Sequence, residues 1–253
     1  MPPRLVAPAP ARPGDQGDDL ASAMPPSPRR FFGQAERLAV VIDLLRAALI
    51  GHDLEQPIVW SIDCGAGEEL FSLAIAASEE LGPLATRLRL VGSDPDASAI
   101  EAARAAVYGE SSLRGVPEPV VQRHFERLAA GRFAVAAGHR DRAEFHEAGI
   151  EQMVGALPPG SVLVALLGDG WCRRSNVDRC RTLPVIVERL APGGVLVQPP
   201  TAPAPDPSWL GQSEPWCDGV FVRRAPPTRS TPPVPSRDRP ISAETVYVED
   251  CGT

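Results

Sequence analysis

The stretch Pro57–Ala74, PIVWSIDCGAGEELFSLA, decides the fold of this chain. It opens with a short apolar run rich in β-branched residues, which is typical of a buried strand. Asp63, Gly65 and Gly67 follow, and after Glu68-Glu69 comes an apolar segment with helical spacing. A strand, a glycine turn and a helix in this order predict the start of a nucleotide-type α/β domain. The glycines allow the backbone to turn sharply and to approach a ligand closely.

The charges beside this turn indicate which ligand it would bind. A dinucleotide fold would have a third glycine where Leu70 stands. An acidic residue, one spacer and then Gly-x-Gly is instead how class I S-adenosylmethionine (SAM) methyltransferases usually begin their binding loop. The carboxylates of Glu68 and Glu69 suit the helix dipole but repel a phosphate. SAM carries a sulfonium and an ammonium group, so the loop favours a methyltransferase over a nicotinamide oxidoreductase. A tight turn with solvated glutamates is the structural alternative.

Composition excludes several classes of protein. The 253 residues are enough for one domain with a sizeable core, and the formal charge of -7 argues against a broad nucleic-acid surface. The chain contains no lysine, which excludes Schiff-base chemistry and a P-loop lysine. The five cysteines lie far apart without paired ligand spacing, so we expect reduced thiols rather than disulfides or a zinc site. With no long apolar run and no apolar signal-peptide core, we predict a cytoplasmic protein without membrane insertion.

Prolines mark the predicted domain boundaries, because they concentrate in residues 1–30 and 199–253. Residues 1–30 are predicted to be a disordered arm and residues 225–253 a proline-rich disordered tail, on either side of a domain at 31–224. Within that domain, strand-like runs alternate with helical patterns, which predicts a doubly wound, mostly parallel α/β sheet. We predict strands at 58–62, 88–92, 142–145, 161–167, 195–197 and 216–223 (the last at a sheet edge). We predict helices at 36–50, 68–81, 97–107, 118–128, 150–157 and 177–190 (the last interrupted or kinked at Pro184), and otherwise irregular structure over 108–142.

Ligands in this architecture bind beyond the carboxyl ends of the strands, near the point where the strand order reverses. The first predicted strand delivers the glycine turn to this edge, the second delivers Asp94, and the fourth delivers Gly168 and Asp169. Asp94 stands where an acidic side chain can accept both hydroxyls of an adenosine ribose; a helix N-cap or a turn residue is the alternative. For Asp169 the turn alternative is stronger, since Gly-Asp-Gly is a common turn.

Several segments resemble the CheR-type methyltransferases, which methylate receptor glutamates in bacterial chemotaxis. The segment Trp60–Ala74, WSIDCGAGEELFSLA, is similar position for position to the family's WSAGCSTGEEPYSLA. The other similar segments are Phe31-Phe32 (the double phenylalanine before the cofactor domain), Gly92–Tyr108 (the second-strand motif), Leu113–Pro117 (the irregular insert) and Gly219–Arg224 (the closing strand). The resemblance implies a class I, Rossmann-like methyltransferase that uses SAM to methylate a carboxylate, such as a glutamate side chain of a chemoreceptor-like protein.

The strand ends and the resemblance together define one set of expected cofactor-binding residues. Following the family, Glu68 or Glu69 would contact the amino group or the sugar of SAM, while Glu69 could instead cap the helix or pair with an arginine. No residue is assigned as catalytic, and no metal is expected. The expected set is Asp63, Gly65, Gly67, Glu68, Glu69, Asp94, Gly168 and Asp169.

The sequence departs from the family in the half that would face the methyl acceptor. The arginine that usually follows the double phenylalanine is Gly33, the asparagine after the third strand is Gly149, and residues 166–169 replace the fourth-strand Cys-Arg-Asn-Val motif. Residues 1–30 are also too rich in proline to supply the family's amino-terminal helical domain. A bidentate arginine orients a carboxylate in a way that glycine cannot. The candidates to replace the missing arginine are Arg29, Arg30 and Arg173.

Two functional hypotheses of different class follow. In the first, the chain is an active SAM-dependent carboxyl methyltransferase that acts on a protein glutamate or another acceptor. In the second, it is a catalytically degenerate methyltransferase fold that binds SAM, its product or a partner protein. The retained glycine turn supports both hypotheses, while the altered acceptor half adds weight to the second.

Overall fold

The computed structural model describes residues 30–51, 54, 56–211 and 213–224. The tail predicted at 225–253, and all of the predicted arm except Arg30, lie outside the described residues. None of the helices in the described ranges is long and apolar enough to cross a membrane.

The described residues contain ten strands, arranged in two sheets. They are β1 (Ile58–Ile62), β2 (Arg89–Asp94), β3 (Val107–Gly109), β4 (Phe125–Arg127), β5 (Arg132–Val135), β6 (Ala143–Glu147), β7 (Val162–Leu167), β8 (Leu190–Val197), β9 (Ser213–Cys217) and β10 (Val220–Arg223). The main sheet has the order β6-β2-β1-β7-β8-β10-β9, in which the first five strands run parallel and the last two form an antiparallel hairpin. This arrangement confirms the mostly parallel sheet that the sequence predicts.

Helices cover both faces of the main sheet, as the doubly wound prediction requires. In the described residues they are α1 (Ala35–Gly51), α2 (Glu68–Leu81), α3 (Ala97–Ala105), α4 (Glu118–His124), α5 (Ala137–Arg140), α6 (Ile150–Ala156) and α7 (Asn176–Arg189). Side chains of β1 alternate between two apolar cores, because successive residues of a strand point to opposite faces. Val59 packs in a core with α1, α2 and α3, whereas Trp60 packs in a core with α6 and α7.

The stretch 108–142, predicted to be irregular, contains most of a second, antiparallel sheet of order β3-β5-β4. The helix predicted at 118–128 ends at His124, and β4 begins at the next residue. Strands of three or four residues are too short to produce a readable alternation. The pairing of β3 with β5 also joins segments that are distant in sequence, whereas β4 and β5 follow each other along the chain. We call this sheet, together with α4 and α5, the insert.

The carboxyl-terminal part of the domain also differs from the sequence prediction. The single edge strand predicted at 216–223 is a hairpin, whose turn contains Asp218 and Gly219, the latter with φ 68°. Asp-Gly is a strong hairpin signal, and it places β10 inside the sheet with β9 at the edge. The helix predicted to be interrupted or kinked at Pro184 is not interrupted there, since it continues from Asn176 to Arg189.

The strand order reverses between β1 and β7. The chain builds outward from β1 through β2 to β6, and then returns to the other side of β1 with β7 and β8. The carboxyl ends of β1, β2 and β7 therefore meet at one edge of the sheet. A crevice at such a reversal is where open α/β sheets bind their ligands.

Candidate functional site

The loop that follows β1 turns by means of three residues in the left-handed backbone region. Asp63, Gly65 and Gly67 have φ values of 53°, 55° and 90°. The Cys64 backbone N–H donates to the carbonyl of Ser93 at 3.0 Å, which ties this glycine loop to the end of β2. Glycine adopts such angles without a Cβ penalty, so Gly65 and Gly67 favour this conformation by themselves. Asp63 has a Cβ, so its surroundings must hold it in the same region.

Asp94 lies at the carboxyl end of β2 and faces the glycine loop. Its Oδ2 accepts the backbone N–H of Gly65 at 2.9 Å, and its Oδ1 accepts the N–H of Asp96 at 3.0 Å. The helix cap that was the alternative role for Asp94 is instead Asp96, which accepts the N–H of Ser98 and caps α3. A carboxylate has about four acceptor positions, so Asp94 retains capacity for further donors beside the loop.

Asp63 forms an ion pair that the sequence patterns did not reveal. Its Oδ1 lies 3.0 Å from Nη2 of Arg174, and its Oδ2 lies 3.3 Å from Nε of the same arginine. The Asp63 side chain is only 9% exposed and that of Arg174 is 23% exposed. The pair joins the loop after β1 to the segment that follows β7.

The Gly-Asp-Gly turn after β7 packs directly on Asp63. The N–H of Gly168 donates to the carbonyl of Ile62 at 2.7 Å. A Cβ at Gly168 would lie 2.2 Å from the Asp63 carbonyl oxygen, and a Cβ at Gly170 would lie 2.6 Å from its carboxylate. Only glycine fits at these two positions, while the half-buried Asp169 begins the short helical turn Asp169–Arg173.

The two glutamates of the loop occupy the first turn of α2. Glu68 is buried and Glu69 is half-buried. The Tyr108 hydroxyl donates to the carbonyl of Ala66 at 2.7 Å and so braces the loop from the insert. Burial raises the pKa of Tyr108 far above its ordinary value, and the negative charge of Glu68 adds to the effect. Tyr108 therefore stays a neutral hydrogen-bond donor over the physiological pH range.

The double phenylalanine holds the beginning of the domain against this same helix. The Phe32 N–H donates to Oγ of Ser72 at 2.9 Å, and that hydroxyl donates to the carbonyl of Glu68 at 2.6 Å. The Phe31 N–H donates to the carbonyl of Ser112 at 2.9 Å. Phe31-Phe32 therefore contacts both α2 and the segment that follows β3.

The structure gathers the expected residues at one edge and adds others that the sequence reasoning missed. Arg174 and Tyr108 contact the loop, although neither was a predicted site residue. One signal was available for Arg174, since Asp63 stands where the family motif has glycine and is an acid that needs a partner. Among the proposed replacement arginines, Arg30 and Arg173 are exposed, and Arg29 lies outside the described residues.

The polar groups at this edge of the sheet suit the adenosine part of SAM. Asp94 presents an acceptor-only carboxylate next to a loop of glycines that brings bare backbone close to a ligand. The buried Glu68 adds negative charge at the start of α2, which suits a cation rather than a phosphate. Asp94, the glycine loop and Glu68 are the residues that would hold this cofactor.

A sheet of this order, with a glycine loop after β1 and an acid at the end of β2, defines the class I SAM-dependent methyltransferase fold. Residues 29–164, more than half of the chain, match the family described as "CheR methyltransferase, SAM binding domain", and the chain belongs to this family. SAM is the cofactor of this domain.

Curated relatives carry the name chemotaxis protein methyltransferase. Chemotaxis protein methyltransferase 2 of Pseudomonas aeruginosa is 31% identical over 139 residues, which cover 53% of this chain and 48% of the relative. Chemotaxis protein methyltransferase 2 of Vibrio cholerae is 20% identical over 185 residues, which cover 72% and 64%. The Escherichia coli protein is 33% identical over 69 residues, which cover 27% and 24%. The chain thus spans from about a quarter to just under two thirds of the length of these relatives.

Solved structures of other methyltransferases show a weaker similarity. The glycopeptide N-methyltransferase MtfA in complex with SAM is 15% identical, with a TM-score of 0.39 over 67% of this chain and 49% of that one. Geranyl diphosphate C-methyltransferase from Streptomyces coelicolor is 11% identical, with a TM-score of 0.38 over 65% and 45%.

Proposed function

We propose that this chain is a SAM-dependent methyltransferase that methylates a carboxylate, namely a glutamate side chain of a chemoreceptor-like protein. The observation that carries the proposal is the contact between Asp94 and the N–H of Gly65, which puts an acceptor carboxylate against the glycine loop of a CheR-type SAM-binding domain. The names of the curated relatives support the choice of a chemotaxis receptor as acceptor.

The proposed reaction requires little chemistry from the protein. SAM supplies a methyl group on a positively charged sulfur. A glutamate acceptor has a pKa of about 4.3 and is already ionised at neutral pH, so no general base is needed. The chain must bind the cofactor, hold the acceptor oxygen in line with the methyl group and keep water out. A site without an evident catalytic histidine is consistent with this activity.

Each residue of the expected set has a proposed role at the sheet edge. Asp94 accepts the ribose hydroxyls, the loop with Gly65 and Gly67 lies against the ligand, and Glu68 pairs with the ammonium group. Gly168 and Asp169 close the site on the β7 side; their close packing on Asp63 supports a structural role as well. Glu69 is half-buried in the first helical turn, where its charge suits the helix dipole.

A matched pair of variants tests the cofactor site. Asp94→Asn should raise the Kd for SAM by about tenfold or more, because the amide group cannot accept two ribose hydroxyls and also presents a donor to the Asp96 N–H. Asp96→Asn is the control, since asparagine keeps the cap of α3 and this side chain does not contact the loop. Titration calorimetry on the full chain measures both. Equal affinities for wild type and Asp94→Asn would refute the assigned role.

Methyl transfer needs a separate assay. Incubation with tritiated SAM and chemoreceptor cytoplasmic fragments should produce methyl esters, which release volatile tritiated methanol in base. The expected result is ester formation by wild type and a strong loss in Asp94→Asn at limiting SAM. Absence of esters despite SAM binding would reject the enzymatic proposal.

A binding role without catalysis is the second candidate function. Two observations favour it: glycine occupies position 33, where the family has an arginine, and the turn after β7 is packed closely on Asp63. In that case the domain would bind SAM or its product and act through a partner protein. The two assays separate the candidates, because only the enzyme gives both SAM binding and methyl esters.

A further inference from the structure

The Asp63–Arg174 ion pair sits where the sheet order reverses. Asp63 directly follows β1, and Arg174 follows the short helical turn after β7, so the pair bridges the two adjacent parallel strands at their carboxyl ends. The guanidinium uses Nε and Nη2 for Asp63. Its Nη1 makes no hydrogen bond within the part of the chain that the structure describes. Arg174 is also partly exposed, so that a ligand can reach it.

Stability alone accounts poorly for this pair. Removing two charges from water offsets much of their attraction, and buried ion pairs are often no better than apolar contacts. Asp63 also adopts φ 53°, a conformation that costs a non-glycine residue free energy and that recurs at functional sites. The family motif has glycine at this position. The chain therefore carries a strained, buried acid that is paired with an arginine at this edge of the sheet.

The charges of the neighbouring loop point to what the arginine does. Four carboxylates lie close to the ends of β1 and β2, namely those of Asp63, Glu68, Glu69 and Asp94. These suit the ammonium and sulfonium groups of SAM, but they repel the carboxylate that its methionine end also carries. Arg174 contacts this acidic loop directly and can offer a charge-assisted hydrogen bond to a carboxylate.

We infer that Arg174 binds the carboxylate of the methionine moiety of SAM, and that Asp63 is a positioning residue that holds the guanidinium in place. This inference rests on the proposed function of the site. Arg174 lies far in sequence from position 33, where glycine replaces the family's arginine, and its proposed ligand is the cofactor rather than the methyl acceptor. Two departures from the family sequence, at Asp63 and after β7, then form one unit.

Two ligands that differ only at the amino-acid end test this assignment. S-adenosylhomocysteine and 5′-methylthioadenosine share the adenosine and the thioether, but the second has no carboxylate. In titration calorimetry on the full chain, Arg174→Gln should raise the Kd for S-adenosylhomocysteine about 10- to 100-fold, as expected for loss of a hydrogen bond to a charged group. The Kd for 5′-methylthioadenosine should stay within about twofold, since that ligand does not reach the arginine.

Three further variants keep the test interpretable. Arg181→Gln is the matched control, because Arg181 is an exposed arginine on α7 that was never assigned to the site, and it should bind both ligands like wild type. Asp63→Asn keeps a residue type that tolerates the left-handed region and should weaken S-adenosylhomocysteine alone, by less than Arg174→Gln does. The double variant Asp63→Asn/Arg174→Gln removes both charges of the ion pair, so it replaces Arg174→Gln if that variant fails to fold.

The outcomes separate this inference from the proposed function. Equal affinity of wild type and Arg174→Gln for S-adenosylhomocysteine overturns the role of Arg174 and leaves the proposed function standing. A proportional loss of both ligands shows that Arg174 supports the scaffold only, and also overturns the inference. Binding of neither ligand by the wild-type chain refutes the proposed function and the inference with it.

Discussion

At the scale of single residues, Gly92 determines how closely Phe145 on β6 can approach the glycine loop. A Cβ at Gly92 would lie 2.5 Å from the ring of Phe145 and 3.1 Å from the Cys64 sulfur. The same ring lies 3.2 Å from the position of a Cβ at Gly67. Phe145 thus fills the space beneath the loop, and both glycines leave room for it.

The substitution Gly92→Ala should therefore destabilise the protein. The added methyl group must displace the buried Phe145 ring, and overpacking of this kind costs about 1–3 kcal/mol. Urea denaturation measures the change in the free energy of unfolding. The double variant Gly92→Ala/Phe145→Leu, with a smaller side chain facing the new methyl group, should be less destabilised than the sum of its single variants. Additive effects would show that Phe145 is not the obstacle.

At the scale of secondary-structure elements, a buried histidine pair joins the insert to α2. His124 on α4 lies 2.9 Å from His139 on α5 (Nδ1 to Nε2) and 2.7 Å from the carboxylate of Glu79 on α2 (Nε2 to Oε1). Arg123 donates two hydrogen bonds to Glu79, and Arg142 lies 3.2 Å from Nδ1 of His139. Three helices and the start of β6 therefore meet at one polar cluster.

This cluster should make the stability of the protein depend on pH. The pKa of His139 is lowered from about 6.5 to about 4, mainly by burial and in part by repulsion from His124 and Arg142, which together outweigh the opposite effect of Glu79. The unfolded chain then binds a proton more readily than the folded chain between these two values. Stability is consequently lost as the pH falls from about 6.5 towards 4, by up to about 3 kcal/mol. Urea unfolding at several pH values measures the slope.

Two variants identify the group responsible for that slope. His139→Gln should flatten the pH dependence between 6.5 and 4, whereas His146→Gln, at a more exposed histidine, should leave it unchanged. Hydrogen bonds from Arg123 hold the pKa of Glu79 below its usual range, so its titration affects stability at still lower pH. A slope that persists in His139→Gln would assign the effect to another group.

At the scale of the whole molecule, Phe31 connects the start of the domain to the insert and, through it, to the glycine loop. Its ring makes edge contacts with Tyr108 and Phe125, at centroid distances of 4.8 and 4.9 Å. Tyr108 in turn donates to the carbonyl of Ala66 in the loop. The domain beginning, the insert and the candidate site are thereby packed as a continuous unit.

The substitution Phe31→Ala should weaken this unit. Phe31 is only 2% exposed, and removal of a buried phenylalanine ring typically costs about 3–5 kcal/mol. Amide hydrogen exchange over residues 107–135 should accelerate, because Tyr108 and Phe125, which make edge contacts with the Phe31 ring, lie in that range. Ile50→Ala is a suitable control, since Ile50 is 70% exposed and its truncation should change stability by about 0.5 kcal/mol or less. Unchanged exchange in Phe31→Ala would contradict the connecting role.

Part of the fold was predictable because some elements have clear sequence signals at their ends. β1 at Ile58–Ile62 and α2 at Glu68–Leu81 have the predicted bounds, since a continuous apolar run and glycines at both ends of the helix define them. The insert sheet was missed because its strands have three or four residues and because β3 pairs with β5 across an intervening helix and strand. The hairpin of β9 and β10 was predicted as one strand, although its Asp-Gly turn was visible.

Local patterns thus established the α/β class, the glycine loop, the acid at the end of β2 and the kinship with CheR-type domains. They could not establish that Arg174 meets Asp63, because 111 residues separate the two. Their contact depends on β7 returning to lie beside β1, and strand order is a property of the packed chain rather than of any window of sequence. Only the folded molecule brings the Arg174 guanidinium to the acidic loop. There it pairs with the largely buried Asp63, because opposite charges attract more strongly where little water surrounds them.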